Sequence, residues 1–437
     1  MPHESGYKGV IMSTISVIGA GYVGLTTSAC LAHLGHEVTC VDIDQEKIRQ
    51  LKQGIIPIHE AGLPELVQTG ISSHCLQFVV GAEDAVASSE FVFLCLPTPQ
   101  EQDGRADVDV VLSVVNQIRE VVPPGTVIVN KSTVPVGTNT TLATAIRRDD
   151  VFIVSNPEFL REGAAVNDFL QPDRIVIGAN DPKAGERVAQ IYALIDAPIV
   201  HVDPASAETI KYATNSFLAT KVSFVNALAA VCEAVGADID AVTAGLGSDT
   251  RIGPKFLQPG PGWGGSCFPK DMHALVRIAT DAGYEFDLLR AVISANEQQF
   301  ERIATKAERL LEGDMAGKNI ALLGLTFKAH TDDLRNSPAI EVAQRLAKKG
   351  AILRAYDPMV NTTADTPNEI EIAATIENAV EHADLTVVLT EWPEFASADW
   401  LVLADLMRSP RLVDARNLLD RDSMIEMGFH YDDLGRT

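Results

Sequence analysis

The sequence predicts an α/β protein in which two Rossmann-like, doubly wound parallel-sheet domains are joined by a central helical domain. Three features indicate this fold: a strand, glycine turn and helix near the start of the chain, a weakly charged helical stretch after residue 204, and a second strand–turn–helix–strand unit from residue 318. The chain has 437 residues, which suits about three domains. We expect an N-terminal extension at 1–13, the first α/β domain at 14–204, the helical domain at 205–312 and the second α/β domain at 313–437.

The composition excludes several classes of protein. The chain is 46% hydrophobic and 22% charged, as in ordinary globular proteins. Its 35 Lys and Arg against 59 Asp and Glu give a net charge of −24, which repels nucleic acid. There is no apolar run of the ~20 residues that span a bilayer, no signal-peptide pattern before residue 12, and no metal-ligand spacing among the six cysteines. We therefore predict a cytoplasmic protein with no metal, no nucleic-acid partner and no membrane partner, in which local Lys and Arg residues would bind an anionic substrate.

The first α/β unit begins with a predicted strand at residues 14–18. Residues 19–24, Gly-Ala-Gly-Tyr-Val-Gly, then turn into an apolar helix, and the next strand, at 37–41, ends at Asp42. In this context GxGxxG is typical of a dinucleotide site, because the glycines admit a pyrophosphate to the helix N-terminus. Asp42 would accept a hydrogen bond from a ribose 2′-OH and repel a 2′-phosphate, which favours NAD over NADP. The alternative is a glycine turn that serves packing alone.

Three more strands are predicted at residues 91–96, 126–130 and 152–155, each followed by polar residues and prolines. Ligands bind at the carboxyl ends of strands in open parallel sheets. The segments after these strands are therefore candidate ligand-binding loops.

The predicted helical domain opens with a long helix over residues 205–234. Only Glu208, Lys211, Lys221 and Glu233 are charged in this stretch, which predicts burial on most faces and an apolar surface for self-association. Lys211 and Asn215 share a helix face, where an ammonium and an amide together stabilise an oxyanion. The alternative is a lysine that extends its charge into solvent beside a solvated asparagine.

The second α/β unit repeats the order of the first, with strands at 319–323 and 352–356 and a helix at 338–348. It keeps Gly324 at the turn but not the full glycine pattern. This order indicates a weak internal duplication.

Four basic residues are candidates for binding an anionic ligand. Lys328 and Arg335 follow the first strand of the second α/β unit, where they would supply positive charge at a ligand-binding edge. Arg251 and Arg416 are further residues of the type that clamps anions. Taken singly, each of the last two has the alternative of being an ordinary surface arginine.

The candidate nucleophile is Cys267, in the loop Pro-Gly-Pro-Gly-Trp-Gly-Gly-Ser-Cys-Phe-Pro-Lys-Asp. Pro269 suits the first turn of a helix, so Cys267 would lie directly before a helix N-terminus with Lys270 nearby. Both features favour a thiolate. The other cysteines are expected to be small buried hydrophobes, namely Cys30, Cys40, Cys75, Cys95 and Cys232.

Taken together, these motifs resemble the UDP-glucose/GDP-mannose dehydrogenase family from residue 14 to about residue 420. In order, they are GxGYVG with its acid, LPTP, KSTVPVGT, NPEFLREG, ExxKYxxN, RIGxxFLxPGxGxGGSCFPKD and FKxxTDDxRxSP. Ala415 departs from the glycine that many members carry before the residue matching Arg416. The resemblance implies NAD on the first domain, a UDP-sugar on the last, and a homodimer or higher even oligomer built on a long dimerisation helix of the central domain.

The resemblance also implies a role for individual residues. The catalytic groups would be Cys267, Lys211, Asp271, Asn215, Glu158 and Thr133. The residues facing NAD would be Gly19, Ala20, Gly21, Tyr22, Val23, Gly24, Asp42, Lys47, Thr98, Thr133, Glu162 and Arg335. The residues contacting the UDP-sugar would be Glu158, Phe159, Leu160, Arg161, Lys211, Asn215, Phe256, Leu257, Gly260, Gly264, Phe327, Lys328, Arg416 and, reaching from a neighbouring subunit, Arg251.

The implied reaction is a four-electron oxidation in which two NAD molecules in succession convert the C6 alcohol of UDP-glucose to the carboxylate of UDP-glucuronate. Asp271 or Lys211 would take up the alcohol proton, and Cys267 would form a thiohemiacetal and then a thioester. Close alternatives are the same chemistry on GDP-mannose or a UDP-N-acetylhexosamine. More distant ones are a two-electron alcohol dehydrogenase of the 6-phosphogluconate type, which needs no Cys267, and an NAD-sensing protein without catalysis.

Overall fold

The computed structural model describes residues 12–101, 104–360 and 366–436, and it divides into two compact units, Met1–Ala213 and Thr214–Thr437. The predicted N-terminal extension, apart from residues 12 and 13, lies outside the described residues. The predicted domain boundaries stay predictions.

The first unit contains an eight-stranded sheet with the strand order β3-β2-β1-β4-β5-β6-β7-β8. Its strands are β1 (Thr14–Ile18), β2 (Glu37–Asp42), β3 (Leu76–Val80), β4 (Phe91–Leu94), β5 (Val127–Asn130), β6 (Phe152–Ser155), β7 (Ile175–Ala179) and β8 (Ile199–Val202). Its helices are α1 (Tyr22–His33), α2 (Gln45–Lys52), α3 (Leu63–Ser72), α4 (Glu83–Val86), α5 (Asp109–Ile118), α6 (Thr138–Ile146), α7 (Ala165–Leu170) and α8 (Pro182–Ile191). From β3 to β6 in this order, each strand is parallel to its neighbour. Strands β6 and β7 pair in the antiparallel direction.

Helix α9 (Pro204–Val235) begins in the first unit and continues into the second, where helices α10 (Ile239–Gly247), α11 (Phe268–Asp281) and α12 (Asp287–Leu310) follow it. The six-stranded sheet of the second unit has the order β11-β10-β9-β12-β13-β14 and is parallel throughout. Its strands are β9 (Asn319–Leu323), β10 (Ile352–Tyr356), β11 (Ile370–Ile372), β12 (Leu385–Val388), β13 (Arg411–Asp414) and β14 (His430–Asp432). The remaining helices are α13 (Pro338–Lys348), α14 (Ile376–Val380), α15 (Pro393–Ser397), α16 (Trp400–Leu406) and α17 (Arg421–Glu426).

Each sheet separates two hydrophobic clusters, one on either face. In β4 every residue is buried, with Phe93 in one cluster and Val92 and Leu94 in the other. In β9, Leu322 and Leu323 are likewise divided between two clusters. Successive side chains of a strand point to opposite faces, so a strand covered on both sides reads as a continuous apolar run.

The predicted fold class is confirmed. The bounds of β1, β6, β9, β10 and α13 agree with the prediction, and β2 ends at Asp42. Strand β4 ends at Leu94, two residues earlier than predicted. Beyond its end the Leu96 N–H donates to Ser132 Oγ at 2.8 Å, and Pro97 has no N–H with which to extend the ladder. The antiparallel junction at β7 was not anticipated from the sequence.

Helix α9 leaves one apolar face exposed within this chain. Only 33% of its most apolar 18-residue window is buried, and Phe217, Phe224 and Val231 are 66%, 56% and 53% exposed. The exposed residues nevertheless fall on one side of the helix, and its other residues are buried or partly buried, so the prediction of burial on most faces agrees with the structure. By length and composition α9 is also apolar enough to cross a membrane, which was not predicted from the sequence. Core helices of soluble proteins have the same length and composition.

Candidate active site

The glycine turn between β1 and α1 leaves space at one of its three glycines. A Cβ at Gly19 would lie 2.3 Å from the Cys95 carbonyl oxygen, and one at Gly24 would lie 1.7 Å from the Gly19 carbonyl oxygen, so packing excludes any side chain at both positions. A Cβ at Gly21 would meet nothing within 4 Å. Packing alone therefore does not explain Gly21, and the open backbone at the α1 N-terminus suits a pyrophosphate.

Asp42 lies at the end of β2, beside this turn. Its Oδ2 accepts hydrogen bonds from the Ala20 N–H at 2.9 Å and from Lys47 Nζ at 3.1 Å, and Oδ1 accepts from the Asp44 N–H at 3.0 Å. Burial alone would raise the pKa of this carboxyl, but these donors hold it below its usual value. Asp42 is thus a fixed anion, suited to a ribose hydroxyl and unfavourable to a 2′-phosphate.

A buried ion pair links the loop after β6 to α9. Glu158 Oε1 accepts from Lys211 Nζ at 2.7 Å, and Glu158 Oε2 accepts from the Leu160 N–H at 2.6 Å. Both charged side chains are buried, and the ring centre of Phe159 is 5.6 Å from the Lys211 ammonium. Burial raises the pKa of Glu158, but Lys211 and the Leu160 N–H outweigh it and hold the pKa low. The alternative of a lysine with its charge in solvent is therefore wrong.

Glu208, three residues before Lys211, has a structural role. Its carboxylate accepts from the Gly137 N–H at 2.6 Å and the Asn139 N–H at 2.8 Å, at the start of α6. A carboxylate at a helix N-terminus satisfies N–H groups that have no partner within the helix. It thereby fixes the end of the KSTVPVGT segment, whose Thr133 carbonyl accepts from Thr98 Oγ1 at 2.7 Å.

A buried cation in this unit was missed by the sequence analysis. Lys131 donates to Asn156 Oδ1 at 3.2 Å, and the Tyr192 hydroxyl donates to the same oxygen at 2.6 Å. The Lys131 ammonium also lies 5.8 Å from the ring centre of Phe169. Burial lowers the pKa of Lys131. Because Asn156 is two residues before Glu158, this group anchors the loop that carries the carboxylate.

The continuation of that loop is tied to the start of α1. The Gly163 N–H donates to the Tyr22 hydroxyl at 2.7 Å and to Glu60 at 2.8 Å, and Tyr22 itself donates to Glu60. Glu60 is buried and was not singled out, since no local pattern marks it. Arg161 pairs with Asp168 at 2.6 Å, and its expected contact with the UDP-sugar stays a prediction.

In the second unit, Cys267 occupies the N-cap position of α11, as predicted. Its carbonyl accepts the Asp271 N–H at 2.9 Å, and Ser266 Oγ lies 3.5 Å from its sulfur. Asp271 is fully buried and accepts from Asn215 Nδ2 at 2.6 Å and from Lys270 Nζ at 2.7 Å. The structure thus joins Asn215 to Asp271, one helical turn from Cys267.

Amide side chains of α9 and α12 hold the glycine-rich loop before Cys267. The Gly260 N–H donates to Asn226 Oδ1 and its carbonyl accepts from Gln299 Nε2, both at 2.8 Å. Asn296 bonds both the N–H and the carbonyl of Trp263 at 2.9 Å. These three amides were not predicted from the sequence, although amide residues on the apolar face of a helix are a usable signal.

The same loop packs against the segment after β9. A Cβ at Gly264 would lie 2.0 Å from the Asn336 carbonyl oxygen, so only glycine permits this approach. A Cβ at Gly265 would lie 3.0 Å from the Phe327 ring. Phe256 has a φ of +62°, an uncommon value for a bulky residue that marks a constrained turn.

Arg416 joins this group from the turn after β13. Its guanidinium donates to the carbonyls of Leu389 at 2.8 Å and Phe327 at 3.1 Å, and it pairs with Glu391 at 3.0 Å. Arg416 Nη1 also lies 3.3 Å from a Cβ built on Gly260. The predicted anion-binding arginine is therefore brought to the glycine-rich loop.

Three other basic residues lie in different surroundings. The Lys328 ammonium is 5.4 Å from the ring centre of Phe327. Arg335 pairs with Asp333 at 2.7 Å, and Arg251 pairs with Asp249 at 2.6 Å, both with exposed guanidinium groups. Their predicted roles toward NAD and a neighbouring subunit stay predictions.

The remaining cysteines differ in burial. Cys30, Cys40, Cys95 and Cys232 are buried, and burial raises the pKa of the first three to about 12. Cys75 is partly exposed, so its predicted burial is wrong. Within residues 12–101, 104–360 and 366–436, no cluster of three His, Cys, Asp or Glu side chains is placed to hold a metal.

These features are typical of NAD-binding dehydrogenases that have a separate substrate-binding domain. They are the open glycine turn with Asp42 beside it, the second α/β domain, and a cysteine at a helix N-terminus. Comparison with known families supports the same class. Residues 13–196 match the NAD binding domain of the UDP-glucose/GDP-mannose dehydrogenase family, residues 205–298 its central domain, and residues 321–421 its UDP binding domain. The chain belongs to the UDP-glucose/GDP-mannose dehydrogenase family.

Individual relatives agree with this assignment. The chain is 44% identical to UDP-glucose 6-dehydrogenase YwqF of Bacillus subtilis over 429 residues, covering 97% of each chain. It is also 44% identical to the UDP-glucose 6-dehydrogenase of Rhizobium meliloti, covering 97% of this chain and 99% of that one. The solved UDP-glucose dehydrogenase of Pyrobaculum islandicum superposes with a TM-score of 0.90 at 33% identity, covering 99% and 100% of the two chains. The predicted family and NAD cofactor are confirmed.

Proposed function

We propose that this protein is an NAD-dependent UDP-glucose 6-dehydrogenase, which oxidises the C6 alcohol of UDP-glucose twice to yield UDP-glucuronate. The observation that carries the proposal is Cys267 at the N-terminus of α11, one turn from the Asp271–Asn215 pair. An enzyme that stops at the aldehyde needs no such nucleophile, whereas oxidation of an aldehyde to an acid needs a group that adds to it first.

The choice of UDP-glucose over related nucleotide sugars is supported by the relatives. Curated UDP-glucose 6-dehydrogenases are 40–44% identical over nearly the whole chain. The solved UDP-D-ManNAc dehydrogenase of Pyrococcus horikoshii has a TM-score of 0.87 but only 27% identity, covering 97% of this chain and 99% of that one. Oxidation of a UDP-N-acetylhexosamine or of GDP-mannose is accordingly the less favoured alternative.

In the first oxidation the C6 hydroxyl proton must leave as the hydride departs. NAD supplies the hydride acceptor in both oxidations. The carboxylate of Asp271, or Lys211 in its neutral amine form, takes up the proton, directly or through one water. Asn215 orients the Asp271 carboxylate by the hydrogen bond to its Oδ2.

In the second oxidation Cys267 adds to the aldehyde carbon as a thiolate, and the resulting thiohemiacetal loses hydride to become a thioester. Lys211 and Asn215 stabilise the oxyanion. Glu158, Thr133 and Asp271 position the water that hydrolyses the thioester, which returns Cys267 as a thiol and releases the carboxylate. Glu158 suits this role because its two oxygens are already oriented by Lys211 and the Leu160 N–H.

The anionic diphosphate of the substrate requires local positive charge in a protein of net charge −24. Arg416 and Lys328 provide it, on the loop cluster that also contains Phe327 and Gly260. These two residues support the expectation that an acidic protein binds its anionic substrate at a confined basic site.

The direct test of the proposed function is the stoichiometry of NADH. With limiting UDP-glucose and excess NAD, complete conversion is expected to yield two NADH per sugar, measured by absorbance. GDP-mannose and UDP-N-acetylhexosamines serve as comparison substrates under the same conditions. One NADH per UDP-glucose with free aldehyde would refute the four-electron reaction, and faster turnover of another nucleotide sugar would refute the substrate.

We further propose that the protein is a homodimer, or a higher even oligomer, in the cytoplasm. Phe217, Phe224 and Val231 are seven residues apart on α9 and form one exposed apolar stripe. Burying such a stripe against a second copy removes apolar surface from water. A cytoplasmic location is supported by the need of the Cys267 thiol to stay reduced.

Replacing Phe224 with glutamate is expected to weaken self-association by about 30-fold or more, because a charge would be buried at the centre of the stripe. Size-exclusion chromatography with light scattering measures the mass of each variant. Leu401→Glu, at an exposed apolar residue of α16, is the matched control and should keep the wild-type mass. A monomeric wild type, or an unchanged mass for Phe224→Glu, would contradict this interface.

A further inference from the structure

The last described residues of the chain, 433–436, follow β14 and lie against two separate parts of the second unit. On one side they contact the turn after β13 that carries Arg416. On the other they contact the C-terminal end of α9. We call residues 433–436 the C-terminal strap.

The strap is bound to the turn after β13 by a reciprocal pair of hydrogen bonds. The Leu434 N–H donates to Asn417 Oδ1 at 2.9 Å, and Asn417 Nδ2 donates to the Leu434 carbonyl at 2.8 Å. Leu434 is fully buried, and Asn417 has a φ of +50°. Asn417 is adjacent to Arg416, so these two bonds hold the backbone of the turn directly beside the arginine.

A second connection runs through the buried carboxylate of Asp414. Its Oδ1 accepts the Arg416 N–H at 3.0 Å, and its Oδ2 accepts the Tyr431 hydroxyl at 2.9 Å. The Tyr431 hydroxyl in turn accepts from Arg436 Nη2 at 2.7 Å, and Arg436 Nε donates to Asp433 at 2.9 Å. One continuous chain of hydrogen bonds therefore joins Arg436 to the backbone of Arg416.

The other side of the strap is anchored at α9 and α10. The Gly435 N–H donates to Glu233 Oε1 at 2.9 Å, and the Gly435 carbonyl accepts the Ile239 N–H at 2.8 Å. Gly435 has a φ of +77°, and a Cβ there would lie 2.8 Å from the Cβ of Ala229. Glu233 is itself held by Lys306 at 2.9 Å. The strap is thus fixed at its far end by helices that do not carry Arg416.

We propose that the C-terminal strap positions Arg416 for the UDP-sugar, with Arg436, Tyr431 and Asn417 as positioning residues. The inference rests on the proposed function, because it takes Arg416 to bind the substrate. Arg416 donates its side-chain N–H groups to the Leu389 and Phe327 carbonyls. Its backbone N–H is bound by Asp414 and the next residue is bound by the strap, so the strap fixes the position from which the Arg416 side chain extends.

The test compares Arg436→Met and Tyr431→Phe with wild type. We expect each to raise KM for UDP-glucose and Kd for UDP about tenfold, the usual range for loss of a buried hydrogen bond to a charged group, while KM for NAD changes less than about twofold. Arg436→Lys should restore part of the affinity. Arg309→Met, which removes an ion pair with Asp432 on β14 but none with the strap, is the matched control and should match wild type.

Gly435→Ala tests the far anchor, where a Cβ would displace the strap from α9 without touching Arg416. It should raise KM for UDP-glucose and Kd for UDP in the same way, with kcat changed little. An Arg416→Met variant with wild-type KM for UDP-glucose would refute the role assigned to Arg416, and with it the positioning role of the strap. A raised KM in Arg416→Met, with wild-type values in the Arg436, Tyr431 and Gly435 variants, would refute the positioning role of the strap and leave the role of Arg416 in place. An equal rise in KM for NAD in these variants would indicate that they disturb the protein as a whole. That result would also refute the positioning role of the strap.

Discussion

Replacing Cys267 with serine is expected to preserve the first oxidation and to slow formation of UDP-glucuronate by about 10³-fold or more. A serine hydroxyl is a far weaker nucleophile than a thiolate at neutral pH, and an ester hydrolyses more slowly than a thioester. The variant should fold normally, since Cys267 is an N-cap residue whose side chain makes no cap hydrogen bond. Mass spectrometry should detect an accumulated covalent adduct or a slow release of aldehyde.

Alkylation provides an independent test of the same residue. Iodoacetamide at neutral pH should inactivate the wild type, and UDP-glucose should protect it. Cys75→Ser is the matched control, because Cys75 is the other partly exposed cysteine and lies outside the loop before α11. Near wild-type turnover in Cys267→Ser, or full activity after alkylation of Cys267, would exclude the covalent mechanism.

Replacing Lys211 with methionine is expected to reduce kcat by about 10³-fold, through loss of the group that stabilises the oxyanion. It should also destabilise the fold by about 3–5 kcal/mol, because Glu158 would remain as a buried, unpaired charge. Activity is measured by NADH formation, and stability by urea unfolding.

The pH dependence of stability should reverse in this variant. In the wild type Lys211 helps to hold the pKa of Glu158 low, so the stability that Glu158 contributes is present at neutral pH and is lost as pH falls through its folded pKa. Without Lys211, burial dominates and raises the pKa of Glu158. The variant should then be closest to wild-type stability in mild acid and lose stability as pH rises.

The double variant Glu158→Gln/Lys211→Met separates the two effects. It removes both charges, so most of the lost stability should return, while kcat stays low. If the double variant regains activity together with stability, Lys211 acts only as a structural partner of Glu158. An unchanged kcat in Lys211→Met would have the same meaning.

The sequence by itself determined the features that depend on neighbouring residues. The glycine turn at 19–24, the acid at the end of β2 and the position of Cys267 before α11 all follow from the order of a few consecutive residues. The backbone conformation of such short segments is set largely by their own glycines, prolines and apolar spacing. The order of these motifs along the chain is what indicated the family.

The tertiary structure alone decided which polar groups pair. Glu158 and Lys211 are 53 positions apart, and Asn215 and Asp271 are 56 apart, so no periodic pattern relates them. Asn226, Asn296 and Gln299 gain their roles only because the glycine-rich loop docks on α9 and α12. Likewise the exposure of α9 and the anchoring of the C-terminal strap depend on which surfaces meet in three dimensions. Local sequence sets the shape of each element, whereas contacts between distant residues arise only when the elements pack, and that packing places the charges and amides of the site.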